Sequence, residues 1–177
     1  MNVGHGTVQW QAQVCLPPSM ADEFTRFALR EGDVVLSLDR PFITTGTKVA
    51  RVGSDDLPCL LLQRVGRFDV DATLADPSYI FLWTQSPAFS EQMDPGRSNG
   101  VPHISSKQVE GAEIFVPPLA EQQRIVAKVD ELMAVCDELE QSLATEQTER
   151  ARLLEALLHD ALEDALPARE LELLGAR

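Results

Sequence analysis

The 177-residue chain reads as an α+β protein: a compact mixed α/β domain followed by one long coiled-coil α-helix. Three observations predict this. Residues 1–116 hold nine of the ten glycines, both tryptophans and most of the short alternating apolar runs. Residues 119–166 contain no glycine and no proline and are rich in Leu, Glu, Ala, Gln and Arg, a long-helix composition. Between them stands Pro117-Pro118, which disfavours helix before it and suits the first turn of a helix after it. The expected division is a domain over 1–116, a helix over 117–166 that Pro167 closes, and a tail over 167–177.

Residues 22–29 form a short helix candidate with Phe24, Phe27 and Ala28 on one side, and Gly32 is a plausible stop. The run 33–38, DVVLSL, predicts a buried strand, and 47–52, TKVARV, alternates at period two. The apolar run 58–65, PCLLLQRV, predicts another strand, broken by Gly66 and resumed over 68–70. Pro77 opens a helix over 77–84 that extends to about residue 87, and 88–93 suits a second short helix. Composition makes 94–101, DPGRSNGV, a loop. Ser105 caps a helical turn over 105–109, and 112–116, AEIFV, is a last strand before the proline pair. The order of strands in the sheet does not follow from these runs.

The long segment carries a heptad seam. Ile125, Val129, Leu132, Cys136, Leu139 and Leu143 are spaced 4-3-4-3-4. Continuing the spacing puts Glu146 and Arg150 at core positions, which interrupts it; leucines resume at Leu153, Leu154, Leu157, Leu158 and Leu162. One helix of about 45 residues, roughly 65–70 Å long, fits this pattern. A helix pair turning near 145–148 is the alternative. A stripe of that length calls for a second long helix, from a partner or another copy of the chain.

Composition narrows the function. The net charge is −13, which argues against whole-surface binding to nucleic acid or anionic membrane. Cys15, Cys59 and Cys136 fit neither a disulfide framework nor a zinc site, so no metal is expected. No apolar run is long enough to span a bilayer, the N-terminus lacks a secretory pattern, and a reducing cytoplasm is the expected location. The phosphate loop, the dinucleotide glycine motif, HExxH, GxSxG and CxxC are all missing from the sequence. No catalytic residue is therefore assigned, and a stand-alone enzyme is the least favoured reading.

Local charge points elsewhere. The segment 40–67 carries Arg40, Lys48, Arg51, Arg64 and Arg67 against Asp55 and Asp56, a net +3. A basic patch on an acidic chain suits localised phosphate contact, although Arg51, Arg64 and Arg67 also suit solvated strand positions. Arg40, Thr44, Thr45 and Lys48 belong to one loop region: arginine pairs with guanine, and threonine meets phosphate or a thymine methyl. Gln63 carries the amide suited to adenine and is followed by Arg64. Arg97 and Asn99 form a second loop, and Ser105 and Lys107 sit at a helical N-terminus that favours an anion. These ten residues are the DNA-binding candidates. The partner-facing candidates are Ile125, Val129, Leu132, Cys136, Leu139, Leu143, Leu153 and Leu157.

The stretch 111–140, GAEIFVPPLAEQQRIVAKVDELMAVCDELE, resembles the conserved region that closes a target-recognition domain in specificity subunits of type I restriction–modification systems. In that family a strand ending in Pro-Pro-Leu leads into a Glu-Gln-x-x-Ile-Val helix. The Gly32-Asp33-Val34-Val35-Leu36 strand, the run 48–52, the Leu-Gln-Arg-Val of 62–65 and Gly100-Val101-Pro102-His103-Ile104-Ser105 are also similar to family patterns. The resemblance covers about residues 25–160.

It implies a non-catalytic subunit that recognises double-stranded DNA, one half of a split site per domain. It implies long helices that set the spacing of the halves and dock methyltransferase subunits, through which restriction subunits join. It implies no cofactor on this chain and S-adenosylmethionine on the methyltransferase partners. The chain has one recognition region and one long helix, so a half-length or truncated form is expected. The recognition domain is expected to lack its opening segment, and the chain to pair with a second copy or another specificity fragment. The competing reading is a truncated coiled-coil module that docks or titrates methyltransferase subunits without reading DNA.

Overall fold

The computed structural model describes residues 2–10, 15–94, 96–98 and 101–174; the described side chains exclude 18, 21, 97, 98 and those beyond 162. It divides into two units, Met1–Ala127 and Lys128–Arg177. The fold is α+β, with a long C-terminal helix.

In the first unit, β1 (Asn2–Val3) pairs antiparallel with β2 (Val8–Gln9). A 3-10 helix follows over Pro18–Phe27. It starts four residues before the expected helix, because Pro18 is pre-set for a helical first turn. It also ends before the expected stop: Ala28 is already extended and bridges Leu60, and Gly32, at φ 86°, belongs to a separate turn.

β3 (Val34–Ser37) is buried at all four positions. It lies between β6 (Val49–Arg51) and β7 (Val65–Arg67), antiparallel to both, in the order β6-β3-β7. Both faces of this sheet are covered. Val34, Leu36 and Val49 pack with Phe89, Met93 and Ile104, while Val35, Ala50 and Val52 pack with Val3 and Leu29. Covering both faces is why DVVLSL reads as a continuous apolar run rather than an alternating one.

The predicted strand over 47–52 is split at Lys48. β4 (Phe42–Ile43) pairs with β5 (Gly46–Thr47), whereas β6 pairs with β3, so the chain changes partners at that residue. Gly46 has φ 130°, and a Cβ there would lie 2.8 Å from the His5 ring. The expected strand over 58–65 is not formed. This run makes one bridge, Ala28 to Leu60, with Leu61 N–H donating to the Phe27 carbonyl at 2.7 Å. The ladder begins only at Val65, and Gly66 lies within it opposite Leu36 rather than ending it. Residues 68–70 do not continue a strand.

α1 (Pro77–Gln85) begins at the Asp76 cap, whose carboxylate accepts from Ser78 N–H at 2.7 Å, and α2 (Pro87–Ser90) follows. Trp83 meets Phe89 edge-on at 4.9 Å, filling one side of the core. The stretch expected as loop contains β8 (Gly96–Ser98), paired with β9 (Val101–His103). Between the strands stands Asn-Gly, the residue pair that favours tight hairpins. Ser105 caps α3 (Ser106–Glu110) reciprocally with Gln108, as the sequence suggests.

The expected strand over 112–116 is irregular. Side chains take its backbone groups: Gln92 both accepts from Glu113 N–H at 2.7 Å and donates to its carbonyl at 2.9 Å, and Tyr79 donates to the Phe115 carbonyl at 2.9 Å. With no free ladder groups at these sites, no strand partner is needed.

α4 (Leu119–Leu174) is continuous through 145–152, which excludes the turn near 145–148. Thr145 and Thr148 turn their hydroxyls onto the carbonyls of Gln141 and Ala144 at 2.9 and 2.8 Å, so both are accommodated inside the helix. The helix also passes the stop expected at Pro167. Proline's fixed φ is helical, and the local loss is one backbone hydrogen bond and a clash one turn back. Among the described residues, no helix is long and apolar enough to cross a membrane.

Candidate functional site

The candidate site grows from the connection after β3. Ser37 Oγ donates to the Asp39 carbonyl at 2.8 Å, and Lys48 Nζ donates to the same oxygen at 3.3 Å. Asp39 bridges His103 on β9, and Arg40 N–H donates to the Pro102 carbonyl at 2.8 Å. Lys48 N–H donates to the Pro41 carbonyl at 2.7 Å. Residues 39–41 are thus held from β9 on one side and from Lys48 on the other. Arg40 has φ 47°, a left-handed conformation uncommon for an arginine.

A second left-handed arginine lies nearby. Val65 N–H donates to the Leu62 carbonyl at 3.2 Å, closing a turn with Gln63 and Arg64 at its centre. Arg64 has φ 68°, at a turn position that usually takes glycine or asparagine. Its carbonyl accepts from Leu38 N–H at 2.8 Å, locking the turn to the end of β3.

These two segments face a common open pocket of about 350 Å³. Its polar walls are Asn2, Ser37, Asp39, Arg40, Lys48, Gln63 and Arg64, with Val3, Val65 and Val101 beside them. Four of the ten predicted DNA-contact residues therefore share one cavity: Arg40, Lys48, Gln63 and Arg64. Three positive side chains and one carboxylate line it. Arg64 lies 3.6 Å from Asp39, with both side chains about half exposed. Burial, and then the Arg40 charge, push the Lys48 ammonium below the ordinary lysine range, while Asp39 opposes them.

The other candidates are placed differently. Thr44 and Thr45 are exposed in the turn joining β4 to β5, outside the pocket lining. Arg97 belongs to β8, opposite Pro102, whose carbonyl holds Arg40. Asn99 lies outside the described residues. Ser105 is committed to capping: its Oγ accepts from Gln108 N–H at 3.2 Å, and its own N–H donates to Gln108 Oε1 at 2.9 Å. Those two groups already have partners inside the protein. Lys107 is exposed on α3. Arg67 is tied to the fold, donating to the Ala28 carbonyl at 3.2 Å and lying 3.7 Å from Asp33. Asn2, Ser37 and Asp39 are pocket residues that the motif and charge reading passed over. Asp39 adjoins the basic segment but falls one residue outside it.

On α4, Ile125 and Val129 are half-buried. Leu132, Cys136, Leu139, Leu143, Leu153 and Leu157 are exposed, with Leu153 and Leu157 each at 65%. Gln122 is wholly buried. Its Oε1 accepts from Asp76 N–H at 2.8 Å, and its Nε2 donates to the Leu74 and Pro117 carbonyls at 3.0 and 2.7 Å. Among the described residues, no group of three or more His, Cys, Asp or Glu side chains is placed to hold a metal.

The family model for the type I restriction modification DNA specificity domain matches residues 20–150. The chain is 44% identical over 161 residues to the EcoAI type I restriction enzyme specificity subunit of Escherichia coli, covering 91% of this chain and 27% of that one. It is 29% identical over 129 residues to the MjaVIII specificity subunit of Methanocaldococcus jannaschii, covering 72% of this chain and 30% of the other. The crystal structure of the HsdS subunit from Thermoanaerobacter tengcongensis superposes with a TM-score of 0.60 at 27% identity, over 69% of this chain and 31% of that one. The chain thus spans about three-tenths of the length of these relatives.

Proposed function

The chain belongs to the type I restriction modification DNA specificity domain family, and from that premise we propose that it recognises a short DNA sequence on behalf of a modification complex. The domain over 1–116 reads one half of a split site, and α4 pairs with a second long helix and docks methyltransferase subunits. The chain itself performs no catalysis. S-adenosylmethionine is held by the methyltransferase partners, restriction subunits join through them, and the complex works in the cytoplasm. The second long helix comes from another copy of the chain or from another specificity fragment.

The observation that carries this reading is the pocket between the 39–41 and 62–65 segments. It gathers Arg40, Lys48 and Arg64 on a chain whose net charge is −13. Cations concentrated there attract the DNA backbone, while acidic residues elsewhere repel it. Guanidinium and amide groups then discriminate base edges in the major groove. The exposed leucines of α4 supply the apolar stripe that a helix partner covers.

Binding of the chain with methyltransferase subunits to a randomised duplex library tests the proposal. Enrichment of a defined set of base pairs is expected. Association with the methyltransferase but no sequence preference at low salt would instead identify a docking module.

A further inference from the structure

We propose that Asp39 and Arg64 act as one unit that reads a C·G base pair, with the Asp39 carboxylate accepting a hydrogen bond from the cytosine amino group. This inference rests on the DNA-reading function proposed above and assigns one of its specificity determinants.

Asp39 is placed with care for a half-exposed residue. Its carbonyl receives both Ser37 Oγ and Lys48 Nζ, and its backbone bridges His103. The backbone of the loop is therefore fixed at Asp39. Its carboxylate stands 3.6 Å from Arg64, with side-chain exposures of 43% and 53%. An ion pair this long and this exposed adds little to stability, so the fold does not explain the carboxylate.

A pocket built only for phosphate would also exclude it. The carboxylate repels a phosphodiester and offsets part of the attraction of Arg40, Lys48 and Arg64. A base edge differs from phosphate because it presents donors beside acceptors. In the major groove, cytosine offers its N4 amino donor and the paired guanine offers O6 and N7 acceptors. A carboxylate adjoining a guanidinium is the complementary arrangement. Arg64 supplies the guanine contact, and its guanidinium lies 3.6 Å from the Asp39 carboxylate.

The test is selection from a randomised duplex library by the full chain assembled with methyltransferase subunits, comparing wild type with Asp39→Asn, Asp39→Ala and Arg64→Lys. Circular dichroism establishes that each variant is folded. Wild type is expected to enrich C·G at one position. The three variants are expected to relax that same position by roughly tenfold, leaving the other positions unchanged. Tighter binding to all sequences with an unaltered preference would overturn the inference and make Asp39 a brake on phosphate contact. So would Asp39 and Arg64 variants that relax different positions. If the Asp39 variants do not fold, Arg64→Lys alone decides: no relaxation at a C·G position overturns the proposal. A wild-type complex with no preference anywhere would overturn the DNA-reading function as well.

Discussion

Arg40 and Arg64 keep left-handed backbones that glycine would adopt at lower cost. Removing the strain by Arg64→Gly is expected to leave stability unchanged or raise it by up to about 1 kcal/mol, measured by urea denaturation. The same change is expected to weaken DNA binding, which separates the two roles of the residue. Lys48 predicts a pH dependence. Its ammonium is disfavoured by burial and by Arg40 before DNA arrives. A phosphate stabilises the charged form and raises its pKa, so binding takes up a proton at alkaline pH. Affinity is therefore expected to fall as pH rises through the lowered pKa of the free protein, and Lys48→Arg is expected to flatten that profile. The residue types at this site were legible in the sequence, because arginine, lysine and glutamine carry their chemistry with them. Their grouping was not, because Arg40 and Arg64 reach one pocket through long-range backbone contacts, Arg40 from Pro102 of β9 and Arg64 from Leu38 at the end of β3. Asp39 escaped notice for a related reason: an acid beside a basic run lowers a charge count, although in space it faces those bases.

At the scale of elements, local signals succeeded and pairing signals did not. Pro77 at the start of α1, the Ser105 cap of α3 and the glycine- and proline-free run 119–166 of α4 are signals carried by neighbouring residues. The strand expected over 58–65 failed because its apolar residues serve a single bridge and a core face rather than a ladder. The hairpin of β8 and β9 was hidden by a glycine- and proline-rich composition, although Asn99-Gly100 carried the signal. Gln122 makes a further prediction. It joins the first turns of α4 to the carbonyls of Leu74 and Pro117 and to Asp76 N–H. Gln122→Leu leaves these backbone groups unpaired in a buried site and is expected to destabilise the domain by about 2–5 kcal/mol, measured by urea denaturation. On the second unit, Leu139→Asn with Leu143→Asn is expected to weaken helix pairing. The mass measured by light scattering should then fall at concentrations where wild type associates.

Over the whole molecule, the charge of −13 and the function proposed for it are reconciled by distribution. Residues 119–177 hold fourteen acidic and six basic residues, while the segment 40–67 is positive. Under the proposed function, a chain with this distribution would engage DNA over a small area and leave the remaining phosphate contact to partner subunits. The chain matches about three-tenths of each relative's length. The central claim is that DNA lies against the pocket between the 39–41 and 62–65 segments. Photocrosslinking tests it most directly, with a photoreactive side chain placed singly at Gln63, at Thr45 or at Ser142 on α4, in the chain assembled with methyltransferase subunits on its selected duplex. Adducts to DNA are expected from Gln63 and Thr45 and not from Ser142. Adducts from Ser142 with none from Gln63 would contradict the account.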